Sequence, residues 1–229
     1  MRVESAGFVA NMRFAIENVG EVSALFIRPP KARFLLVLAH GAGAGMSHPF
    51  METVASELAA VGVATFRYQF PYMEQRHRVP DPPKVLMEAV RAAVQKAREA
   101  APELPLLAGG KSMGGRMTSL AAAEEPLDGV RGLVFFGFPL HPPNKLGTKR
   151  ADHLAQVDVP MLFFQGTRDK LADLNLLRPI LEELGSKATL YVVDTADHSF
   201  HVLKRSGKAD TEVMRELVQV LASWAQTIR

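Results

Sequence analysis

Residues Leu104–Glu125, LPLLAGGKSMGGRMTSLAAAEE, constrain the fold more than any other part of the chain. The stretch is apolar, then glycine-rich, then apolar at helical spacing, which predicts a buried strand, a very tight turn and a helix. At the turn, Gly110 and Gly114 flank Ser112 in a G-x-S-x-G pattern. Side chains at the two flanking positions would make the strand and the helix collide, so the glycines suit a sharp turn that exposes the hydroxyl. We therefore expect Ser112 to be a nucleophile at the end of a central strand.

A phosphate-binding loop is the rival interpretation of the same residues. Gly110–Lys111–Ser112 also matches the end of the pattern G-x-x-x-x-G-K-[ST]. That pattern requires a glycine at position 105, where the chain has Pro105. Because proline has no N–H to offer a phosphate, the nucleotide-site interpretation is not favoured.

Composition limits the classes of protein that this chain can belong to. Its 229 residues are 48% hydrophobic, enough for one large domain, and no run is long enough to cross a bilayer. The first residues lack the apolar core of a secretory signal, and the absence of cysteine excludes disulfides and thiolate chemistry. The net charge of +3 comes from scattered basic residues, which favours a solvated surface over a nucleic-acid site. We expect a cytoplasmic protein with a small-molecule substrate and neither nucleic-acid nor membrane partners; its oligomeric state stays open.

Apolar strands and periodic helices alternate along the chain. Two short antiparallel strands are predicted at residues 3–9 and 22–28, and residues 68–83 are expected to form an irregular loop. The buried strands that follow, besides the one before Ser112, are predicted at Arg33–Ala39, Val63–Arg67, Val130–Phe136, Val159–Gln165 and Leu190–Val193. The helices are predicted at Phe50–Val61, Lys84–Ala100, Leu171–Leu184 (kinked or split at Pro179) and Ala209–Ile228, besides the one after Ser112. This βαβ spacing predicts a three-layer α/β/α sandwich with a mostly parallel, doubly wound sheet and antiparallel N-terminal strands.

Partners for Ser112 follow two later strands at the same edge of the sheet. A serine nucleophile needs a base, usually a histidine oriented by a carboxylate, and on such sheets the order is serine, acid, histidine. Asp169 follows the strand Val159–Gln165, and His198 follows the strand Leu190–Val193. We therefore expect Asp169 to orient His198.

Other residues in these loops leave alternatives open. Asp169 could instead cap the helix expected at Leu171. Asp194 and Asp197 are the competing acids, and His201 is the competing base.

Two backbone N–H groups are needed to bind the oxyanion of an acyl-transfer intermediate. Met113 follows the serine at a helix N-terminus and is expected to supply one of them. The other is expected from Ala42 in the glycine-rich loop HGAGAG, with Gly41 and Gly43 as rivals. A merely flexible glycine loop is the alternative.

Six further side chains are candidates for substrate contact. Lys111 and Arg116 beside Ser112 could recognise an anionic group, although such residues also pair with carboxylates or extend to water. Four others could line an apolar pocket, although such residues are common in cores: Met46, Phe70, Tyr72 and Phe138. No His-x-x-x-His pair suggests a metal site, and no cofactor is expected.

Four segments together resemble a known superfamily: HGAGAG (40–45), GGKSMGGR (109–116), FFQGTRD (163–169) and ADHSFH (196–201). They resemble the α/β-hydrolases, and more narrowly the small, lidless dienelactone-hydrolase-like members with a GKSMGGR elbow. The resemblance implies a Ser112–Asp169–His198 triad that cleaves an ester-like bond through an acyl-enzyme. It also implies one domain over residues 1–229, because the segment Gly137–Arg150, where larger members insert a lid, is short. A non-catalytic interaction module with the same fold is the alternative.

Overall fold

The computed structural model describes residues 7–228, which contain one eight-stranded sheet flanked by helices on both faces. The strand order is β1-β2-β4-β3-β5-β6-β7-β8. The strands are β1 Phe8–Ile16, β2 Gly20–Arg28, β3 Phe34–Ala39, β4 Val63–Tyr68, β5 Leu106–Lys111, β6 Val130–Phe136, β7 Met161–Gly166 and β8 Ala188–Val193. The helices are α1 Pro49–Ala60, α2 Pro71–Glu74, α3 Pro83–Ala100, α4 Met113–Glu124, α5 Leu174–Glu183 and α6 Asp210–Ala225.

Strand direction divides the sheet into two parts. β1 pairs with β2 and β2 with β4 in antiparallel register, whereas the pairs from β4 through β8 are parallel. This arrangement confirms the predicted fold class. Because β3, β5, β7 and β8 are parallel, the loops that leave their carboxyl ends emerge at one edge of the sheet.

Helices cover both faces of the sheet, and this explains the continuous apolar strands. One face packs against α3, α4 and α5, and the other face packs against α1 and α6. β5 is buried along its whole length, since both of its faces are covered. The buried positions of α3 recur at the spacing of one helical face, as its apolar stripe predicts.

Element boundaries differ from the predictions at several points. The first strand is Phe8–Ile16 rather than residues 3–9, and residues 3–6 of the predicted strand lie outside the described part. The expected loop at residues 68–83 contains the short helix α2, which begins at Pro71. α5 begins at Leu174, capped by Asp173, and continues through Pro179.

The region after β6 bears on access to the sheet edge. Residues 137–148 contain no helix or strand, and a 3-10 segment at Lys149–Gln156 leads towards β7. Among the helices of residues 7–228, none has both the length and the apolar character that crossing a bilayer requires.

Candidate active site

Ser112 occupies a strained turn between β5 and α4. Its backbone has φ 52° and ψ −118°, a conformation that non-glycine residues rarely adopt and that costs of order 1–3 kcal/mol. A Cβ atom at Gly110 would lie 2.4 Å from the Ala39 carbonyl oxygen, and one at Gly114 would lie 2.5 Å from the His40 carbonyl oxygen. Both distances are far below van der Waals contact, so the two glycines let β5 and α4 meet β3 closely enough to form the turn.

Three predicted site residues meet above this turn. The Nε2 atom of His198 lies 2.8 Å from Ser112 Oγ, and its Nδ1 atom lies 2.6 Å from Asp169 Oδ2. An ionised carboxylate can only accept hydrogen bonds, so Nδ1 carries the proton and donates to Asp169. In the neutral imidazole, Nε2 is then free to accept the Ser112 hydroxyl proton. This is the geometry that serine activation requires.

The two carboxylate oxygens of Asp169 have different partners. Oδ1 accepts from the Leu171 N–H at 2.8 Å, while Oδ2 accepts from His198 and from Gln165 Nε2, the latter at 2.5 Å. Asp169 therefore caps a turn at Leu171 and not a helix, because α5 begins at Leu174 and is capped by Asp173. The Asp169 side chain is fully shielded from solvent, so these donors replace water around its charge.

Gln165 is a site residue that the sequence reasoning missed. Besides donating to Asp169, it accepts a hydrogen bond from the Phe138 N–H at 3.0 Å through Oε1. It thereby joins the Asp169 loop to the segment after β6. The sequence did contain a sign of this role, because Gln165 is the one polar side chain in the otherwise apolar strand MLFFQG.

The competing acids and base all have local partners. Asp194 accepts from the Thr167 hydroxyl, and Asp197 accepts from the backbone N–H groups of Ser199 and His201. His201 Nδ1 lies 2.5 Å from Asp210 Oδ2, and this hydrogen bond raises the pKa of His201. These contacts shape the loop that carries His198.

The glycine-rich loop after β3 is held by the residues that follow β4. The Gly43 N–H donates to the Tyr72 hydroxyl at 2.9 Å, and the Phe70 N–H donates to His40 Nε2 at 3.1 Å. Because Gly43 has this partner, it is no longer a rival for the oxyanion role. Ala42 is exposed beside it in the loop.

His40 is fully buried under this loop. Its Nδ1 atom lies 2.7 Å from the Gly41 carbonyl oxygen, so Nδ1 donates there while Nε2 accepts from Phe70. Burial lowers its pKa to about 4, which keeps the ring neutral at pH 7. The second half of the loop is anchored at Met46, whose N–H donates to Gln69 Oε1 and whose carbonyl accepts from Arg67.

Lys111 does not line the open edge as expected. Its side chain is buried, and its ammonium donates to the His198 carbonyl oxygen at 2.6 Å. It also lies over the rings of Phe50 and Phe200, at 5.6 and 5.8 Å from their centroids. Desolvation lowers its pKa to about 8. The predicted contact with an anionic substrate is therefore corrected to a contact with the His198 loop.

The predicted apolar pocket is also wrong for its three aromatic members. Phe70 and Tyr72 have no exposed surface and Phe138 has 1%, so none of them can reach a ligand in an open cleft. Phe70 packs edge-on against His40, and Phe138 packs against Phe135 and Phe163 in the core. Met46 and Arg116 are half-buried.

Metal binding has no support in the arrangement of side chains. Within residues 7–228, no group of three or more histidine, aspartate or glutamate side chains is placed to hold a metal ion. The arrangement around Ser112 is suited to proton transfer between a hydroxyl and an imidazole.

An eight-stranded, mostly parallel sheet with a serine on a strained turn after a central strand is the architecture of the α/β hydrolases. The chain belongs to the alpha/beta hydrolase domain family, whose model matches residues 32–226. Membership of this family supports hydrolase activity for this chain.

Solved structures share the fold. A dienelactone hydrolase from Anabaena variabilis superimposes with a TM-score of 0.75 at 22% identity, covering 97% of this chain and 99% of that one. A serine hydrolase without a lid from Xanthomonas campestris gives 0.71 at 20% identity, with 95% and 94% covered. Est1E from Butyrivibrio proteoclasticus, solved with ferulic acid bound, gives 0.69 at 17% identity, with 91% and 98% covered.

Proposed function

We propose that this protein is a serine hydrolase that cleaves an ester-like bond of a small substrate through an acyl-enzyme on Ser112. The observation that carries the proposal is the continuous hydrogen-bonded path from Ser112 Oγ through His198 to Asp169, with heavy-atom distances of 2.8 and 2.6 Å. The strained backbone of Ser112 supports it as well, since strain of this kind is concentrated at functional sites.

In the first half of the reaction, His198 Nε2 takes the hydroxyl proton while Ser112 Oγ bonds to the substrate carbonyl carbon. The tetrahedral intermediate collapses, the bond to the leaving group breaks, and His198 returns the proton to that group. Water then repeats the sequence on the acyl-enzyme, which releases the acid and restores Ser112. Asp169 stays ionised throughout and stabilises the imidazolium that forms twice per turnover.

The oxyanion is assigned to the N–H groups of Met113 and Ala42. Met113 is the first residue of α4, where the N–H has no partner within the helix and the helix dipole favours negative charge. Ala42 lies in a loop that is held in place by the hydrogen bonds from the Gly43 N–H to Tyr72 and from the Phe70 N–H to His40. Fixed donors of this kind stabilise the transition state without having to reorganise.

The proposed substrate class rests on access to Ser112. We propose one domain without a separate lid, because residues 137–148 form only a short irregular segment. Ser112 and Met113 are both partly exposed at this edge. An open site of this kind suits small acyl groups, and an ester, thioester, lactone or amide would each supply the required carbonyl.

An active-site-directed fluorophosphonate tests the proposal. We expect it to label the wild-type protein and not Ser112→Ala. Ser119→Ala is the matched control, because Ser119 is a nearby serine whose hydroxyl is buried and bonded to His153 at 2.7 Å. Equal labelling of wild type and Ser112→Ala would place the nucleophile elsewhere.

Turnover distinguishes an enzyme from an interaction module with the same fold. A short-chain p-nitrophenyl ester should be hydrolysed by the wild type and only at a residual rate by folded His198→Ala. Loss of the base should cost about 10³-fold or more in kcat. Equal rates in the two proteins would favour the non-catalytic interaction module.

A further inference from the structure

The segment that follows β6, residues 137–141, lies against both partners of the proposed nucleophile. A Cβ atom placed at Gly137 would lie 3.2 Å from the Nδ1 and Cε1 atoms of His198, so the backbone passes beside the edge of the imidazole that faces Asp169. One residue later, the Phe138 N–H donates to Gln165 Oε1 at 3.0 Å, and Gln165 Nε2 donates to Asp169 Oδ2 at 2.5 Å. The segment thus borders the base and reaches the acid through one amide.

Neighbouring elements fix this segment on both sides of Phe138. The Gly137 N–H donates to the Phe164 carbonyl oxygen, and the His141 N–H donates to the Leu171 carbonyl oxygen, each at 2.9 Å. The ring of Phe138 packs against two buried phenylalanine rings, one in β6 and one in β7. The Phe138 N–H is therefore a donor held at a fixed position.

The amide of Gln165 lies between a group that can only donate and a group that can only accept. A backbone N–H is a donor alone, and the ionised carboxylate of Asp169 is an acceptor alone. The orientation of the amide is therefore determined: its oxygen faces Phe138 and its nitrogen faces Asp169. Because Gln165 has no exposed surface, bulk water is not available to replace either contact.

The nitrogen of this amide binds the same carboxylate oxygen as the imidazole does. Gln165 Nε2 and His198 Nδ1 lie 2.5 and 2.6 Å from Asp169 Oδ2, while Oδ1 accepts from the Leu171 N–H at 2.8 Å. The terminal torsion of an aspartate is broad, so a carboxylate held by the protein through one oxygen alone can still turn. Gln165 supplies the second fixed contact, at the oxygen on which the orientation of the imidazole depends.

We propose that Gln165 is a positioning residue for the reaction: its amide holds Asp169 Oδ2 where that oxygen orients His198, and the segment after β6 holds the amide. This inference rests on the proposed function and adds a residue to it. No bond is made or broken at Gln165. Its effect is on kcat, through the fraction of molecules in which His198 Nε2 points at Ser112 Oγ.

Two substitutions at position 165 separate positioning from a merely structural role. Gln165→Leu keeps an apolar body and removes both hydrogen bonds. We expect kcat for a short-chain p-nitrophenyl ester to fall about 10- to 100-fold with KM little changed, which is the loss typical of one hydrogen bond to a charged group. In Gln165→Glu, a protonated carboxyl can still accept from Phe138 and donate to Asp169. An ionised carboxylate has no proton to donate and repels Asp169.

Protons should therefore rescue Gln165→Glu and not Gln165→Leu. Burial and contact with Asp169 raise the pKa of a carboxyl at this position, while the charge of Lys111, which interacts with Asp169, acts in the opposite direction. His198 also faces this site, but it titrates in both variants and cancels in the ratio of their kcat values. The ratio of Gln165→Glu to Gln165→Leu should exceed one at low pH and fall to one or less as pH rises. A ratio that is constant across the pH range in which both proteins stay folded would refute the positioning role.

Gln219→Glu is the matched control. It makes the same chemical change at an exposed position of α6. It should keep the kcat and the pH profile of the wild type. If Gln219→Glu lost activity at high pH as Gln165→Glu does, the loss would come from any added carboxylate, and the assignment of Gln165 would be overturned.

Proton NMR tests the same role without turnover. In Ser112→Ala protein, the His198 Nδ1–H proton held on Asp169 should give a low-field signal that is absent when His198→Ala is added. Adding Gln165→Leu instead should move this signal upfield or broaden it. This result would support the positioning role even if the wild type hydrolysed no ester, a failure that would count against the catalytic proposal alone. An identical low-field signal with and without Gln165 would refute the positioning role.

Discussion

Replacing Lys111 with methionine should change how the stability of the protein depends on pH. Lys111 carries a charge in a buried position, and desolvation lowers its pKa from 10.5 to about 8. Methionine has a similar length and no charge. The substitution therefore removes the cost of burying the ammonium together with its hydrogen bond to the His198 carbonyl oxygen.

The size of the effect follows from the pKa shift. Below pH 8, Lys111 is protonated in both the folded and the unfolded chain, so its contribution to stability does not vary with pH. Between pH 8 and pH 10.5 the folded protein has lost this proton while the unfolded chain retains it, so the unfolding free energy rises with pH. Each pKa unit corresponds to about 1.4 kcal/mol, and the wild type should gain about 3 kcal/mol over this window.

Urea denaturation from pH 7 to pH 10.5 measures the difference between wild type and Lys111→Met. The unfolding free energy of the wild type minus that of Lys111→Met should rise by about 3 kcal/mol between pH 8 and pH 10.5. The contributions of other titrating groups cancel in this difference, because both proteins contain those groups. Lys84→Met, which removes an exposed lysine from the first turn of α3, should show no such change. A wild-type minus Lys111→Met difference that stays constant with pH would refute the reasoning.

The same substitution should lower activity at pH 7. The loop that carries His198 loses a charged donor, and such hydrogen bonds contribute about 1.5–3 kcal/mol. If part of this energy holds the imidazole in place, kcat for a short-chain ester should fall about tenfold in a protein that remains folded. Unchanged kcat would show that Lys111 has no part in positioning His198.

Two further substitutions test the turn and the loop that flank the nucleophile. Tyr72→Phe removes the acceptor for the Gly43 N–H and should loosen the loop that carries Ala42. In steady-state kinetics on a neutral ester, kcat should therefore fall about tenfold while KM changes little. A rise in KM alone would contradict this expectation. Gly114→Ala places a Cβ atom 2.5 Å from the His40 carbonyl oxygen and should destabilise the protein by about 2–4 kcal/mol in thermal unfolding. Gly147→Ala, whose Cβ would meet nothing within 4 Å, is its control, and equal melting temperatures of the two variants would refute the packing argument.

Local patterns determined most of the fold. The strand, the turn and the helix around Ser112 are predicted from an apolar run, a cluster of glycines and an apolar helical spacing, which follow one another in that order. The predicted boundaries of strands and helices were wrong where the hydrophobic pattern of the sequence was weak. The first strand extends to Ile16 because it pairs along its length with β2, and the extent of this pairing is not visible in the residues themselves. The short helix α2 was missed because four residues carry too little periodicity to be recognised.

The order of motifs along the chain predicted which loops would meet, but not how their side chains would be used. Strand ends that face one edge bring the loops of Ser112, Asp169 and His198 together, and this much follows from topology. Contacts between loops depend on packing among segments far apart in sequence. Only the tertiary structure shows that Lys111 turns inwards to the His198 carbonyl, and that Gln165 braces Asp169.

The burial of side chains shows the same difference between what the sequence predicts and what only the tertiary structure decides. The sequence determined that aromatic residues follow β4 and β6, but a hydrophobic side chain near a strand end can face either the core or the cleft with the same local pattern. The structure decided for the core at Phe70, Tyr72 and Phe138, which pack there against the His40 ring or against buried phenylalanines. Within residues 7–228, it left the Nε atom of Arg116 buried without a hydrogen-bond partner, and Arg150 of the facing segment repels the Arg116 charge.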